Sequence, residues 1–140
     1  MAYGSVLTDV VQSSTAGTPP QFNDGNGTQV GTLCRAWINY NGLSASRTIR
    51  ASFNVSSVTY NSTGNYTLNF TNALSDANYM VSLACLADTA GSSTRNLLVI
   101  NGASSTGAST KTTTQLNILS GQTNTATIID TAEVNVAIFR

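Results

Sequence analysis

The sequence predicts an all-β domain of seven to nine short strands, the pattern of a sandwich or a barrel. Three observations lead there. Apolar and polar residues alternate with period two in several short segments. Clusters of Asn, Gly and Ser separate those segments at turn-like intervals. The chain of 140 residues suits one core, and its non-apolar remainder is mostly Thr, Ser, Asn and Gly rather than charge. Threonine favours strands because its branched Cβ fits a pleated surface.

Residues 1–33 read as an extended arm or attachment segment, with the body of the domain over 34–140. Val6, Leu7, Val10 and Val11 allow a helical turn, weakened by β-branching. Pro19 and Pro20 exclude helix interior. Asn23-Asp24-Gly25-Asn26-Gly27 is a turn cluster. It has a slight likeness to a calcium loop but lacks the regular acidic positions and closing glutamate of an EF-hand. Phe22 and Val30 are candidates to pin the arm to the body or to a neighbouring subunit.

The first body strand runs from Cys34, with Ala36, Ile38 and Tyr40 on the face opposite Arg35, Trp37 and Asn39. Asn41-Gly42 turns the chain. The next strand is expected to put Ile49, Ala51, Phe53 and Val55 on one face. A third starts at Ser57, and Asn61-Ser62-Thr63-Gly64 closes a hairpin onto Tyr66, Leu68 and Phe70. Residues 71–78 are too short for more than a helical turn. Tyr79 to Leu86 is apolar on both parities, which predicts a central strand. Further strands follow over 95–100, 112–119 and 134–139, the last with Val134, Val136 and Ile138 opposite Ala137 and Phe139.

The composition excludes several functions. Charged residues are 9% of the chain, against roughly 25% in an ordinary domain. Six basic residues balance six acidic ones, so no basic footprint for nucleic acid exists. Histidine is absent, which removes His-based triads and His-ligated metals. Nothing matches a phosphate loop or a nucleophile elbow; residues 102–111 resemble a P-loop around Lys111 by composition alone. Asp130 with Glu133, or Asp76 with Asp88, are the conceivable carboxylate pairs for glycoside hydrolysis, but each acid sits beside a turn signal that explains it. The expectation is no enzyme, no catalytic residue, no cofactor and no metal. No apolar run reaches the length of a membrane span, and the first residues lack the pattern of a signal peptide. The N-x-S/T triplets at Asn26, Asn54, Asn61, Asn65 and Asn69 are expected in a chain this rich in those residues. Cys34 and Cys85 lie in apolar strand-like segments and are expected to stay unpaired.

Residues 34–42, CRAWINYNG, and 49–70, IRASFNVSSVTYNSTGNYTLNF, resemble a module of tailed-bacteriophage tail-fibre tips and small virion appendage proteins. Residues 15–37 and the ending AEVNVAIFR, 132–140, are similar to the same family, whereas 87–125 carry no signature of it. The resemblance implies an antiparallel β-sandwich, jelly-roll-like, over 34–140, which assembles as a homotrimer on the virion and is built in the bacterial host cytoplasm. The function it implies is a receptor-binding tip recognising a host-surface glycan or another surface receptor. The alternative is a purely structural virion component: a capsid decoration, head-fibre or baseplate adaptor protein. A cellular carbohydrate-binding module and a surface-polysaccharide depolymerase are more distant readings. Partners would be other copies of the chain and, through the arm, other virion proteins, with no nucleic acid and no membrane insertion. Candidate interface residues are Trp37, Arg35, Arg50, Phe22 and Phe139. Trp37 also suits sugar stacking, but serves as readily as a packing anchor. Candidate receptor-facing residues lie in four loops: Ser44 and Ser46; Thr89, Ser92 and Ser93; Asn101, Ser104, Ser105 and Thr106; and Asn124.

Overall fold

A computed structural model describes residues 7–8, 10–14, 20–43, 45–86, 96–102, 110–122 and 127–140, with the backbone alone for 96–98. The chain divides into two compact units, Met1–Leu33 and Cys34–Arg140. In the first, β1 (Phe22–Asn23) pairs antiparallel with β2 (Gln29–Gly31). The turn between them is held by Asp24, whose Oδ1 accepts from the backbone N–H of Asn26 and of Thr28, both at 2.9 Å. Gly27 takes φ +81°, a conformation that favours glycine. The Asn23–Gly27 cluster is thus a hairpin turn whose carboxylate is engaged by its own backbone.

The second unit holds two four-stranded antiparallel sheets. One has the order β4 (Ile49–Phe53), β3 (Cys34–Tyr40), β10 (Val134–Phe139), β7 (Met80–Cys85). The other has β5 (Val55–Ser62), β6 (Asn65–Phe70), β9 (Gln115–Gln122), β8 (Asn96–Ile100). The alternation read from the sequence sets their faces. Ala36, Ile38 and Tyr40, with Val134, Val136 and Ile138, are buried from the first sheet. Tyr66, Leu68 and Phe70, with Leu116 and Ile118, are buried from the second. All belong to one apolar cluster. Each large side chain removed from water contributes about 1.5–3 kcal/mol, so this shared cluster is the main favourable term.

Four expectations are corrected. Tyr79 to Leu86 is not a central strand: β7 is an edge strand, paired to β10 alone, with Met80 57% exposed. Its second apolar parity faces outward instead of into a layer. Phe53 and Val55 do not share a face, because Asn54 between them adopts φ 56° and turns the chain from one sheet to the other. Asn tolerates this left-handed conformation, and its side chain donates to the carbonyls of Arg35 and Asn72. Phe53 is left 54% exposed while Val55 is buried. The third strand begins at Val55, not Ser57. β9 begins at Gln115, because Thr112 Oγ1 accepts from the N–H of Gln115 at 2.9 Å and of Thr114 at 3.2 Å, making residues 112–115 a turn.

Candidate functional site

The strand registers fix where the loops emerge. Tyr40 pairs with Val134 and Val134 with Cys85 at one end of the first sheet. Asn96 pairs with Gln122 at the corresponding end of the second. The described residues that flank the candidate loops 43–47, 87–94 and 120–127 therefore lie at that end. The loop at 101–111 is rooted at the opposite one, where Ile100 pairs with Ile118. The four candidate loops are split three to one.

The shared end is organised by a charged and aromatic hub. Asp130 Oδ1 accepts the Tyr66 hydroxyl at 2.6 Å and the Gly64 N–H at 2.7 Å. Its Oδ2 lies 3.6 Å from the Arg47 guanidinium. Arg47 is 8% exposed, has φ 49°, and stacks over the Tyr60 ring at 3.7 Å. Tyr40 meets Tyr66 edge to face at 5.6 Å. Burial pushes the Tyr66 hydroxyl pKa up, and donation to Asp130 pushes it further. Burial also raises that of Tyr40, with Tyr66 as the next contributor. Both phenols therefore stay protonated at neutral pH. Gly64 has φ +64°, and a Cβ there would meet the Ser120 carbonyl at 2.5 Å. Gly42 leaves similar room, its N–H donating to the Thr131 carbonyl at 3.0 Å. The hub ties together the 41–48 loop, the β5–β6 hairpin and the segment before β10.

At this end Ser46 is exposed and its hydroxyl is 3.1 Å from that of Thr48. At the other end Asn101 is half-buried and closes its loop: its N–H donates to the Asn117 carbonyl, and its own carbonyl accepts from the Thr110 backbone and hydroxyl. Asn101 is thus a loop closer more than an open contact. Ser44, Thr89, Ser92, Ser93, Ser104, Ser105, Thr106 and Asn124 lie outside the described residues. Lys111 at the same loop donates to the Tyr79 carbonyl at 2.9 Å and stands 5.0 Å from the Tyr79 ring. Burial pushes the Tyr79 hydroxyl up to about 12.

Of the candidate interface residues, Trp37 and Phe139 lie on the outer face of the β4-β3-β10-β7 sheet, and Arg35 shares the parity of Trp37. Trp37 is registered with Phe53 on one side and Ala137 on the other, and Phe139 with Met80. Arg50 reaches Asn39 Oδ1 at 3.3 Å, the Ala132 carbonyl at 2.9 Å and Glu133 at 3.8 Å. Glu133 also accepts from Asn135 at 3.0 Å and Asn39 at 3.3 Å; the Asn135 bond leads the causes that lower its carboxyl pKa. Phe22 belongs to the first unit, in β1 opposite Gly31, and is 46% exposed. Cys34 and Cys85 are unpaired; the Cys34 thiol donates to the Ala36 carbonyl, and burial raises the Cys85 thiol pKa.

The outer face of the other sheet differs. Asn69 donates to Ser57 Oγ and Thr59 Oγ1 and accepts from Gln115. Asn61 donates to Asn65 and to Thr67 Oγ1, and Asn117 to Thr67 Oγ1. These amides and hydroxyls satisfy one another across three strands. Among the described residues no group of three or more His, Cys, Asp or Glu is placed to hold a metal ion, and no helix is long and apolar enough to cross a membrane.

Sequence reasoning missed the pairing of Arg47 with Asp130 and the exposure of Phe53. The hub pair is distant in sequence, and nothing in Ser46-Arg47-Thr48 points to a carboxylate partner. The local signal for the Phe53 reversal is Asn54, a residue type that tolerates the left-handed backbone it adopts. Comparison of the chain with family models, curated proteins and solved structures found no match.

Proposed function

We propose that this chain is a bacteriophage virion appendage protein, the receptor-binding tip of a tail fibre, working as a homotrimer. In this reading the two sheets are the layers of a β-sandwich and residues 1–33 attach it to other virion proteins. The observation that carries the reading is the loop-bearing end. The described residues that flank three of the candidate loops lie at one end of the two sheets, where Arg47, Asp130 and Tyr66 form a hub. Binding loops on a rigid scaffold lose less entropy on contact than free ones. Three copies facing one way multiply weak contacts. A chain with 9% charged residues and balanced charge suits hydrogen bonding to a surface glycan across a range of salt.

One observation favours the second reading, a structural component of the virion. The Asn, Thr and Ser side chains on the outer face of the β5-β6-β9-β8 sheet are engaged with one another, so this face offers a receptor few open donors.

Pre-incubating host cells with the purified protein tests the function. Slowed adsorption of the phage that encodes it supports a receptor-binding tip. Unimpaired adsorption at saturating protein, with antibody labelling the capsid surface of intact virions, replaces it with the structural reading. The absence of label on any virion defeats both.

A further inference from the structure

The outer face of the β4-β3-β10-β7 sheet is apolar in the middle and polar at both ends. The central row runs Phe53, Trp37, Ala137, Ser82 across the four strands. Phe139 and Met80 form the adjacent pair. Phe53, Trp37 and Met80 are 54%, 38% and 57% exposed. Beyond one end of this strip lie Arg50 and Glu133, and beyond the other Arg140, whose guanidinium meets Asp76 at 2.6 Å. An apolar centre with a charged rim is the anatomy of a protein contact.

We infer that this face is where copies of the chain meet one another, with the exposed Phe53 or Met80 of one copy seated against the small side chains of the next. This rests on the multi-copy reading above and assigns it a surface. Three features favour a second copy as the occupant. First, the face carries knobs and a hole together. Phe53 and Met80 project from the two edge strands. Between them, Trp37, Ser82, Ala84 and Ala137 border a shallow depression of about 290 Å³. A face with a knob at its edge and a hole in its middle can seat the knob of one copy in the hole of the next, a contact that three copies close into a ring. Second, the rim presents both signs of charge, which suits a protein of the same composition better than a singly charged surface. Third, Arg35 is half-buried beside the strip, and its guanidinium has no hydrogen-bond or ion-pair partner among the described residues. A carbonyl or carboxylate from another chain would satisfy its donor fork.

Size points to the edges of the face as well as its centre. Four strands about 4.8 Å apart and six residues long cover about 400 Å² in plane. A stable contact takes about 800 Å² from each partner. The contact therefore reaches past the four strands onto the charged rim that holds Arg50, Glu133 and Arg140.

The test uses the full chain and light scattering coupled to size exclusion. The wild type is expected at three times the 14.6 kDa chain mass. Phe53→Glu and Met80→Glu place a carboxylate where the contact would strip its water. Each is expected to weaken association at least about 30-fold while the circular dichroism stays that of wild type, since both side chains are exposed in the single chain. Ser82→Arg, which fills the depression from an exposed position, should act in the same direction and serves if a glutamate variant fails to fold. Thr59→Glu, on the outer face of the other sheet, should leave the mass unchanged. A wild-type oligomer that survives all three substitutions overturns the face but leaves the trimer standing. A wild-type mass of one chain at tens of micromolar overturns both, as it would if the chain's own arm covered the strip. Receptor binding that persists in a dissociated variant leaves the functional reading in place, so the two can fail separately.

Discussion

The two sheets turn the same kind of face to the core and opposite kinds outward. On the β5-β6-β9-β8 sheet the outward residues of the first three strands include Ser57, Thr59, Asn61, Asn65, Thr67, Asn69, Gln115 and Asn117, linked by side-chain hydrogen bonds across the strands. On the β4-β3-β10-β7 sheet they include Phe53, Trp37, Ala137, Phe139 and Met80, with charge only toward the ends. Solvent suits the first surface because its polar groups are already held in place. The second exposes large apolar groups on adjacent strands, and such patches mark contact sites in soluble proteins. The lesson is that alternation alone says which residues face out, whereas chemistry says what the outward side is for.

The largest effect should come from what the two faces share. Leu68 is fully buried in the common cluster, and Leu68→Ala is expected to cost about 2–5 kcal/mol in denaturant unfolding. A loss under about 1 kcal/mol would mean the two sheets do not pack as one core.

The hub comes next. Tyr66→Phe removes a hydroxyl donated to the Asp130 carboxylate at 2.6 Å and should cost about 1.5–3 kcal/mol. The Tyr40 hydroxyl is buried with no protein partner among the described residues, so Tyr40→Phe should cost distinctly less. Equal losses in chemical denaturation would refute the roles given to the two phenols.

Part of this was legible in the sequence and part was not. The strands at 65–70 and 134–139 follow directly from alternation, because each has one apolar parity and its neighbours enforce it. β7 misled because apolar residues on both parities fit either a buried central strand or an edge strand whose second parity faces outward. Local pattern does not separate them; strand order does. The hub stayed hidden for a related reason. A lone Arg in a Ser-rich loop and an Asp before Thr131 each look solvated until folding brings them together. The outward placement of Trp37, Phe139 and Arg35 was legible, since they oppose the buried parity of their own strands.

A smaller effect separates the outer faces. Asn69→Ala deletes the amide that joins Ser57, Thr59 and Gln115, and should cost about 0.5–1.5 kcal/mol. Phe53→Ala, 54% exposed in one chain, should cost less than that in a dissociated background such as Met80→Glu. The reverse order, read from urea midpoints, would exchange the roles of the two faces.

The smallest effect is electrostatic. Hydrogen bonding to Arg140 holds the Asp76 carboxyl below its ordinary value, and the Asn135 amide does the same for Glu133. A carboxyl with a depressed folded pKa stabilises above its unfolded value near 4 and loses that contribution as pH falls through the folded one. Stability should therefore decline slightly between about pH 5 and about pH 2, less so in high salt because both groups are exposed. Asp76→Asn should flatten that limb in an acid titration of the unfolding midpoint; an unchanged limb would remove the Arg140 contact as its cause.

Trp37 gives the most direct test of the central claim, because it is the sole tryptophan and sits in the middle of the apolar face. Its emission should be blue-shifted and shielded from iodide in the wild-type protein at micromolar concentration. In Met80→Glu it should move to the red and become open to quenching, with the fold intact. Emission and quenching identical in the wild type and Met80→Glu, and constant on dilution, would contradict the claim that this face meets another copy of the chain.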